Sequence, residues 1–313
     1  MPDERGETAA QSIAPSTLTL PRYERPREER VQSLELNLFD AIPYAESDAA
    51  IEVSSLTPGS RALLRGLLRL GCTKVFPGGG VGIEYGSLLK TATRPEYASA
   101  HVSEAAAHLR ERRVDLLLVP GMSGYPVGAM YSIVAGIPAI LLKKTRLHDQ
   151  AMPYPPGAFV IPSYTGEGDV VMSADLEAVQ DVVDGIVAPQ LAAQSGIERP
   201  ILMIRAAGAD DIIDKATMSQ AVGESAVVVG RAAAEDYLRR HQQATGDDRE
   251  VDIRVELVAW VTPLIKGYNR PQDHLGRLFG IRPFAGINVT SLHLQPRAIG
   301  VEGVGIVAFA AED

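Results

Sequence analysis

Apolar residues are densest between Val114 and Lys144, where the chain reads VDLLLVPGMSGYPVGAMYSIVAGIPAILLKK. An apolar run breaks at Pro120-Gly121, a helically spaced segment follows to Ala135, and a second apolar run precedes the final lysines. Two short buried strands that flank one helix are typical of a βαβ unit, because parallel strands need a crossover connection. The loop that begins this helix is the first place to expect a ligand, since helix N-termini leave N–H groups unpaired beyond the carboxyl ends of parallel strands.

The same patterns predict further elements on both sides of this unit. Helical spacing is found at Ser60 to Leu70, Pro95 to Arg113, Asp175 to Ala188 and Gly223 to His241. Apolar runs predict strands at Ile201 to Ile204, Ile253 to Val261 and Ala298 to Ala310. Alternation of strands with helices predicts an α/β fold with a central parallel sheet flanked by helices.

Three stretches depart from this alternation. Residues 1 to 32 are rich in Pro, Glu, Arg and Ser without periodicity, which predicts a mobile tail. The glycine cluster at Phe76 to Ser87 lacks the G-x-G-x-x-G spacing and predicts either a turn near the sheet or a loop that faces a ligand. The Pro- and Gly-rich segment from Thr145 to Asp169 predicts an extended excursion, with Phe159 to Ile161 and Val170 to Met172 as a two-stranded ribbon.

Composition excludes several classes of function. The chain has 313 residues, 46% of them hydrophobic and 22% charged, which is ordinary for a globular protein. A net charge of −9 disfavours nucleic acid and anionic membranes as partners. The single cysteine, Cys72, excludes an internal disulfide and a multi-thiolate metal site. With no evident secretory signal and no apolar stretch long enough to cross a bilayer, we expect a cytoplasmic protein.

The acidic pair Asp210-Asp211 is the main candidate for chemistry. Adjacent acidic residues are common in solvated turns, and this chain has other such pairs. This pair, however, follows the apolar run that begins at Ile201 and precedes Ile212-Ile213. The two carboxylates are therefore expected at the carboxyl edge of the sheet, where ligands of parallel sheets bind.

Together, these parts resemble the type I phosphoribosyltransferase family, which transfers phosphoribosyl from phosphoribosyl pyrophosphate (PRPP) to a nitrogen base. The stretch LLLVPGMSGYPVGAMYSIVAGIPAILLKKTR is similar to the family's strand, pyrophosphate loop, helix and second strand. The sequence ADDIIDKATM resembles its acidic signature and phosphate loop, and the order GIEYGS, Arg-Pro-Glu and helix looks most like the orotate branch. The similarity covers roughly residues 68 to 262.

The resemblance implies a role for each part. Asp210 and Asp211 would bind the ribose hydroxyls and stabilise positive charge on the sugar during catalysis. Mg²⁺ would accompany the pyrophosphate, and no protein side chain is predicted as a dedicated metal ligand. The excursion would close over the site and exclude water. The predicted substrate-binding residues are Met122, Ser123, Gly124, Lys143, Lys144, Arg146, His148, Asp214, Lys215, Ala216 and Thr217.

Several residues differ from the family pattern, and several others have an alternative role. The phosphate loop of the family has glycines where this chain has Asp214 to Thr217, so Asp214 is expected to repel a phosphate that Lys215 and Thr217 partly attract. For Arg146 and His148 the alternative is a solvated loop. The last candidates are Tyr268, Arg270 and His274. They either line a pocket for the base or belong to a surface loop.

The function predicted from the resemblance is Mg²⁺-dependent transfer of phosphoribosyl to a heterocyclic base that is orotate-like, purine-like or an acceptor of specialised metabolism. A small hood built from residues 33 to 75 and 263 to 313 would cover the base, and the core would span 68 to 262. The resemblance also implies a homodimer. The alternatives are a binding protein that senses PRPP or a nucleotide without turnover, and a protein that shares only the fold and binds another phosphorylated ligand.

Overall fold

A computed structural model describes residues 20–24, 41–44, 46, 51–52, 56–75, 81–85, 94–147, 154–162, 168–294 and 297–310. Six α-helices with defined bounds lie in this part of the chain: α1 Pro58–Leu70, α2 Pro95–Glu111, α3 Tyr125–Ala135, α4 Leu176–Ala193, α5 Thr217–Thr245 and α6 Pro271–Phe279. The strands are β1 Cys72–Val75, β2 Val81–Glu84, β3 Leu116–Pro120, β4 Ala139–Arg146, β5 Phe159–Pro162, β6 Asp169–Ser173, β7 Ile201–Ala209, β8 Ile212–Ile213, β9 Asp252–Lys266, β10 Phe284–Leu294, β11 Arg297–Val301 and β12 Gly305–Ala308.

Within the described residues, ten strands form one large mixed sheet in the order β12-β11-β10-β9-β7-β3-β4-β6-β5, with β8 beside β9. The neighbours from β10 through β9, β7 and β3 to β4 run parallel. Antiparallel strands extend both edges, β11 and β12 on one side and β6 and β5 on the other. The predicted α/β fold, with central parallel strands flanked by helices, is confirmed.

Alternation along the central strands directs side chains to two apolar layers. Leu117 and Val119 of β3 pack in a core shared with α1, α2 and α3, whereas Leu116 and Leu118 pack in a core shared with α4 and α5. The sheet is therefore covered on both faces. Because both faces are apolar, the central strands appear in the sequence as continuous hydrophobic runs.

Capping residues fix where two of the flanking helices begin. The side chain of Thr57 accepts a hydrogen bond from the backbone N–H of Ser60 at the start of α1. At the start of α4 the carboxylate of Asp175 accepts from the N–H of Ala178. Such side-chain caps satisfy N–H groups that an α-helix leaves unpaired.

Three segments differ from the sequence-based expectation. The single strand expected at Ala298 to Ala310 is wrong, because Gly303 and Gly305 have positive φ values of 79° and 104° and form a turn between β11 and β12. In the tail predicted for residues 1 to 32, residues 20–24 lie along β5, where the N–H of Tyr23 donates to the carbonyl of Val160 at 3.0 Å. The rest of that tail lies outside the described residues.

The Thr145 to Asp169 excursion is partly built into the sheet. The predicted ribbon is confirmed as β5 paired antiparallel with β6, and β6 pairs with the end of β4. Phe159 and Met172 are buried in the core that contacts α4 and α5. β5 and β6 are therefore part of the core, and closure of the rest of the excursion over the site stays a prediction.

Described parts of the two segments assigned to a hood contact each other, since α1 packs against β10. The C-terminal strands β10, β11 and β12 continue the edge of the large sheet, and the β1–β2 hairpin forms a separate two-stranded sheet that contacts β10 and β11. Part of the glycine cluster, Val81–Glu84, is a strand rather than the expected loop. No helix of the described chain has the length and apolarity needed to cross a bilayer.

Candidate functional site

The loop after β3 and the acidic pair after β7 lie side by side at one edge of the sheet. β3 and β7 are parallel neighbours, so the segments that follow them leave the sheet together. Gly124 lies so close to the pair that an added β-carbon would be 2.8 Å from Oδ1 of Asp210 and 2.8 Å from the carbonyl oxygen of Pro120. The structure thus brings together two predicted parts of the site that are far apart in sequence.

Two helices begin at this edge without a side-chain cap. The N-cap residue of α3 is Gly124 and that of α5 is Ala216, and neither helix start has a capping side-chain hydrogen bond. Among the described residues, no partner accepts from the backbone N–H groups of Met122, Ser123 and Gly124. Unpaired N–H groups and the positive ends of two helix dipoles make this edge suited to an anionic ligand.

The two carboxylates of the acidic pair have different surroundings. Asp210 is 9% exposed and borders the loop after β3, and its Oδ1 accepts the backbone N–H of Asp211 at 2.9 Å. Asp211 is 2% exposed, and its Oδ2 accepts the hydroxyl of Tyr85 at 3.2 Å. Asp210 is therefore the member of the pair that lies against the loop, and Asp211 lies behind it.

A buried tyrosine and histidine lie next to Asp211. Burial, and then the negative charge of Asp211, raise the pKa of Tyr131 well above its usual value. The hydroxyl of Tyr131 is 2.8 Å from Nε2 of His101. Burial lowers the pKa of His101 to about 4, so its imidazole is neutral near pH 7. Its Nδ1 has no hydrogen-bond partner among the described residues. These groups form a polar cluster under the acidic pair.

The repulsion expected from Asp214 is offset within the chain. Its carboxylate accepts from Nζ of Lys266 at 3.0 Å and from Nδ2 of Asn269 at 2.5 Å. This contact arises because Ile213 of β8 is paired with Ile265 of β9, which places Asp214 beside Lys266. The side chain of Lys266 is only 11% exposed, so the pair is largely shielded from solvent. Lys266 and Asn269 therefore offset the charge of Asp214, in addition to the partial compensation expected from Lys215 and Thr217.

The rest of the predicted phosphate loop adopts a glycine-like turn. Ala216 has a positive φ of 62°, in the left-handed region that favours glycine, and it is followed by the first residue of α5, Thr217. Lys215 is partly exposed at the same turn. The backbone thus turns as the resemblance requires although the glycines are missing.

Lys143 and Lys144 lie within β4, just after the residue that borders the loop after β3. Leu142 of β4 is in register with Pro120, and the hydroxyl of Tyr125 donates to the carbonyl of Leu142 at 2.5 Å. Lys143 follows Leu142, but its Nζ donates to Oδ2 of Asp175 at 2.6 Å. That hydrogen bond raises the pKa of Lys143 and lowers that of Asp175.

The remaining basic candidates lie farther along or outside the described chain. Lys144 is exposed, and Arg146 is the last residue of β4, in register with Val170. At about 3.3 Å per residue, Arg146 lies roughly 13 Å beyond Leu142 along the strand. His148 lies outside the described residues.

The predicted base-pocket residues lie near the α5 turn. Tyr268 is in a short 3₁₀ turn after β9, and Arg270 follows it with a φ of 51°. Nε2 of His274 is 2.9 Å from Oε1 of Gln220 in the first turn of α5. These three residues are therefore on the same side of the molecule as Asp214.

The side chains at this edge could bind Mg²⁺ only when the ion is already bound to the phosphates of a substrate. Within the described residues there is no cluster of three or more His, Cys, Asp or Glu side chains that could form a protein cage. Mg²⁺ prefers oxygen ligands, keeps several waters and commonly bridges substrate phosphates. The carboxylate of Asp210 beside the anion-suited loop is compatible with this mode of binding.

Four residues of this site are absent from the sequence-based candidates: Tyr85, His101, Lys266 and Asn269. Each contacts a partner at least 30 positions away in sequence. Tyr85 lies in the GIEYGS segment of the resemblance, whereas no motif or spacing marks the other three. The one available signal was a polar or charged residue within an apolar helix or at a strand end, as for His101 and Lys266.

No protein-family model and no curated protein sequence matches the chain. Among solved structures, it is similar to an adenine phosphoribosyltransferase from Rhodothermus marinus, at 13% identity and a TM-score of 0.43, over 73% of this chain and 97% of that one. The Giardia lamblia enzyme has 12% identity and a TM-score of 0.40, over 68% and 92% of the two chains. The Trypanosoma brucei enzyme, solved with AMP, pyrophosphate and ribose-5-phosphate, has 11% identity and a TM-score of 0.40, over 77% and 82%. Identities and TM-scores this low carry no conclusion about activity.

Proposed function

We propose that this protein transfers 5-phosphoribosyl from PRPP to a nitrogen of a heterocyclic base and releases pyrophosphate. The proposal rests on the position of Asp210. Its Oδ1 borders Gly124, where an added β-carbon would lie 2.8 Å away. Gly124 belongs to a loop whose backbone N–H groups have no partner among the described residues. A carboxylate beside an anion-binding loop suits a reaction in which positive charge develops next to a departing anion. The family resemblance of both segments in sequence supports the same reaction.

The reaction exchanges one bond for another at C1 of the ribose. The bond from C1 to the pyrophosphate oxygen breaks, and its electron pair leaves with the pyrophosphate. A lone pair of the base nitrogen forms the new bond to C1, and the proton carried by that nitrogen is released to solvent. Positive charge develops on the sugar and negative charge on the leaving group as the first bond lengthens. Fixed charges of opposite sign, placed in advance, lower the barrier to this step.

The two ends of PRPP would bind at the two uncapped helix starts. The N–H groups of Met122, Ser123 and Gly124 would hold the pyrophosphate, with Lys144 nearby and Lys143 available if it leaves Asp175. Mg²⁺ bound to the pyrophosphate would offset its charge. The carboxylate of Asp210 would contact the ribose hydroxyls, with Asp211 behind it.

The 5′-phosphate would bind at the start of α5. There the N–H groups of the first turn, the hydroxyl of Thr217 and the ammonium of Lys215 would contact it, and the turn at Ala216 directs the backbone for this purpose. The base would lie toward Tyr268 and His274. An orotate-like or purine-like acceptor, a cytoplasmic location and a homodimer belong to this proposal as expectations from the resemblance.

Isothermal titration of PRPP with Mg²⁺, followed by a screen for pyrophosphate release over a panel of bases, tests the proposal. We expect PRPP to bind and at least one base to give release. Asp210→Asn removes the charge beside the loop and is expected to reduce turnover by at least about 100-fold, as is common when a group that stabilises transition-state charge is lost. Asp236→Asn, at a partly exposed position of α5, is the matched control.

Three other outcomes are distinguishable. PRPP binding with no release for any base would favour the sensor. Absence of PRPP binding would refute both the enzyme and the sensor. Near-normal activity in Asp210→Asn would refute the role given to that carboxylate.

A further inference from the structure

One hydrogen bond joins the β1–β2 hairpin to the acidic pair. Tyr85 directly follows β2, and its hydroxyl donates to Oδ2 of Asp211 at 3.2 Å across 126 positions of sequence. Tyr85 is 1% exposed and Asp211 is 2% exposed, so the contact lies in the protein interior. Tyr85 is too deeply buried to contact a ligand directly, and its hydrogen bond to Asp211 links it to the site.

A carboxylate this deeply buried requires polar donors around it. Removing a charged group from water costs several kcal/mol unless hydrogen bonds compensate. The Tyr85 hydroxyl is one such donor. The nearby hydroxyl of Tyr131 is 2.8 Å from Nε2 of His101, and the charge of Asp211 contributes to the raised pKa of Tyr131. The orientation of Asp211 is therefore set from the side of the molecule that faces away from the proposed ligand.

Asp211 in turn holds Asp210. The backbone N–H of Asp211 donates to Oδ1 of Asp210 at 2.9 Å, the same oxygen that faces Gly124. A shift of Asp211 would move this N–H and with it the carboxylate that borders the loop. The order of contacts is thus Tyr85, Asp211, Asp210 and then the loop after β3.

We propose that Tyr85 is a positioning residue that orients Asp210 toward the ligand by fixing Asp211. This inference rests on the proposed function, since the ligand in question is PRPP. The proposed role of Tyr85 differs from that of a residue that only fills the core, because it depends on the hydrogen bond to the carboxylate of Asp211. Loss of the Tyr85 hydroxyl is therefore expected to weaken ligand binding only as long as Asp211 can still accept its hydrogen bond.

A double-mutant cycle separates this role from simple packing. PRPP with Mg²⁺ is titrated into the full chain carrying Tyr85→Phe, Asp211→Ala or both substitutions. We expect Tyr85→Phe to weaken PRPP binding by about 10-fold, near the lower end of the range for one lost hydrogen bond to a charged group. In the Asp211→Ala background, where no side chain is left to accept the hydroxyl, the same substitution is expected to change affinity by less than about 2-fold.

The control is Tyr23→Phe, which also removes a tyrosine hydroxyl from a carboxylate, that of Glu224 at 2.5 Å, away from the acidic pair. It is expected to leave PRPP affinity unchanged. Circular dichroism and thermal unfolding of every variant show whether the fold is retained, and Tyr85→Trp provides a second variant that lacks the hydroxyl if the phenylalanine variant unfolds.

Wild-type affinity in Tyr85→Phe, or equal effects of Tyr85→Phe with and without Asp211, would overturn the positioning role while the proposed function stands. Failure of the wild-type protein to bind PRPP would refute the proposed function and this inference together. Weaker binding by Tyr23→Phe of the same size as by Tyr85→Phe would assign the effect to general loss of tyrosine hydroxyls and also overturn it.

Discussion

Gly124 lies directly against Asp210: a β-carbon at Gly124 would be 2.8 Å from Oδ1 of that carboxylate. Contacts this short between a β-carbon and an oxygen do not occur without a shift of one of them. The glycine therefore permits the loop after β3 and the acidic pair after β7 to approach each other. The close packing of these two segments is what makes a composite site possible at this edge of the sheet.

Gly124→Ala is the first prediction. Because the new methyl group would meet both Asp210 and the carbonyl of Pro120, we expect a loss of about 1–3 kcal/mol of unfolding free energy, typical of overpacking. PRPP affinity is expected to fall at least about 10-fold as the loop and carboxylate move apart, since small misplacements in a preorganised site have large effects. Chemical denaturation and isothermal titration measure the two quantities.

The matched control for that variant is Gly185→Ala in the middle of α4, where an added β-carbon meets no atom within 4 Å. Alanine is a better helix former than glycine, so this variant should be more stable by about 0.5–1 kcal/mol. Its PRPP affinity should equal that of the wild type. An unchanged affinity in Gly124→Ala would contradict the close approach of the loop to the acidic pair.

Asp214→Asn is the second prediction. The substitution removes the negative charge that pairs with Lys266, so without ligand we expect lower stability by about 1–3 kcal/mol because a largely buried ammonium loses its partner. Loss of the negative charge of Asp214 should also strengthen binding of the 5′-phosphate of PRPP by about 10-fold. Thermal unfolding with and without PRPP or inorganic phosphate measures both effects.

Asp273→Asn serves as the control for net charge, since Asp273 is exposed in the first turn of α6. It should change neither stability nor PRPP affinity noticeably. Weaker PRPP binding by Asp214→Asn than by the wild type would show that the Asp214–Lys266 pair supports the phosphate site rather than competing with it.

Gly208→Ala is the third prediction. An added β-carbon at Gly208 would lie 2.1 Å from Cζ3 of Trp260, the only tryptophan of the chain. Since the indole is fully buried and cannot move aside, we expect a loss of about 1–3 kcal/mol in unfolding free energy. The tryptophan fluorescence spectrum of the folded variant should also change, which reports the displacement directly. A variant of wild-type stability and spectrum would contradict this packing.

The pH dependence of stability is the fourth prediction. Burial lowers the pKa of His101 to about 4, so the folded state holds this imidazole neutral while the unfolded chain binds a proton below about 6.5. The contribution of neutral His101 to the free energy of unfolding is therefore complete above pH 6.5. It is lost as the pH falls toward 4, and the loss amounts to at most about 3 kcal/mol. Partial burial also lowers the pKa of His108, which adds to the trend in the same direction.

Denaturation curves measured between pH 4 and 7.5 check this dependence. His101→Gln, which cannot be protonated, should show a smaller fall in stability over that range than the wild type. Identical slopes for wild type and His101→Gln would refute the assignment to His101.

The hydrophobic pattern alone predicted the parallel core of the sheet. The strands and helices from Val114 to Lys144, the helix at Pro95 and the strand at Ile201 were read correctly, because burial on both faces imposes continuous apolar runs and burial on one face imposes helical spacing. The order of strand, helix and strand also placed the loop at Met122 and the pair Asp210-Asp211 at the same edge. These features are local, so the sequence contains them directly.

Only the tertiary structure decided which side chains meet. Asp214 was expected to repel a phosphate, yet the register of β8 on β9 places it against Lys266, 52 positions away. The GIEYGS segment gave no sign that Tyr85 reaches Asp211. The Pro- and Gly-rich excursion contains strands that belong to the core. Such contacts depend on strand register and on packing between distant segments, and neither is encoded in the periodicity of a short stretch. The sequence by itself determined the elements and the edge where the site lies, whereas tertiary packing determined the charge and the hydrogen bonding of that site.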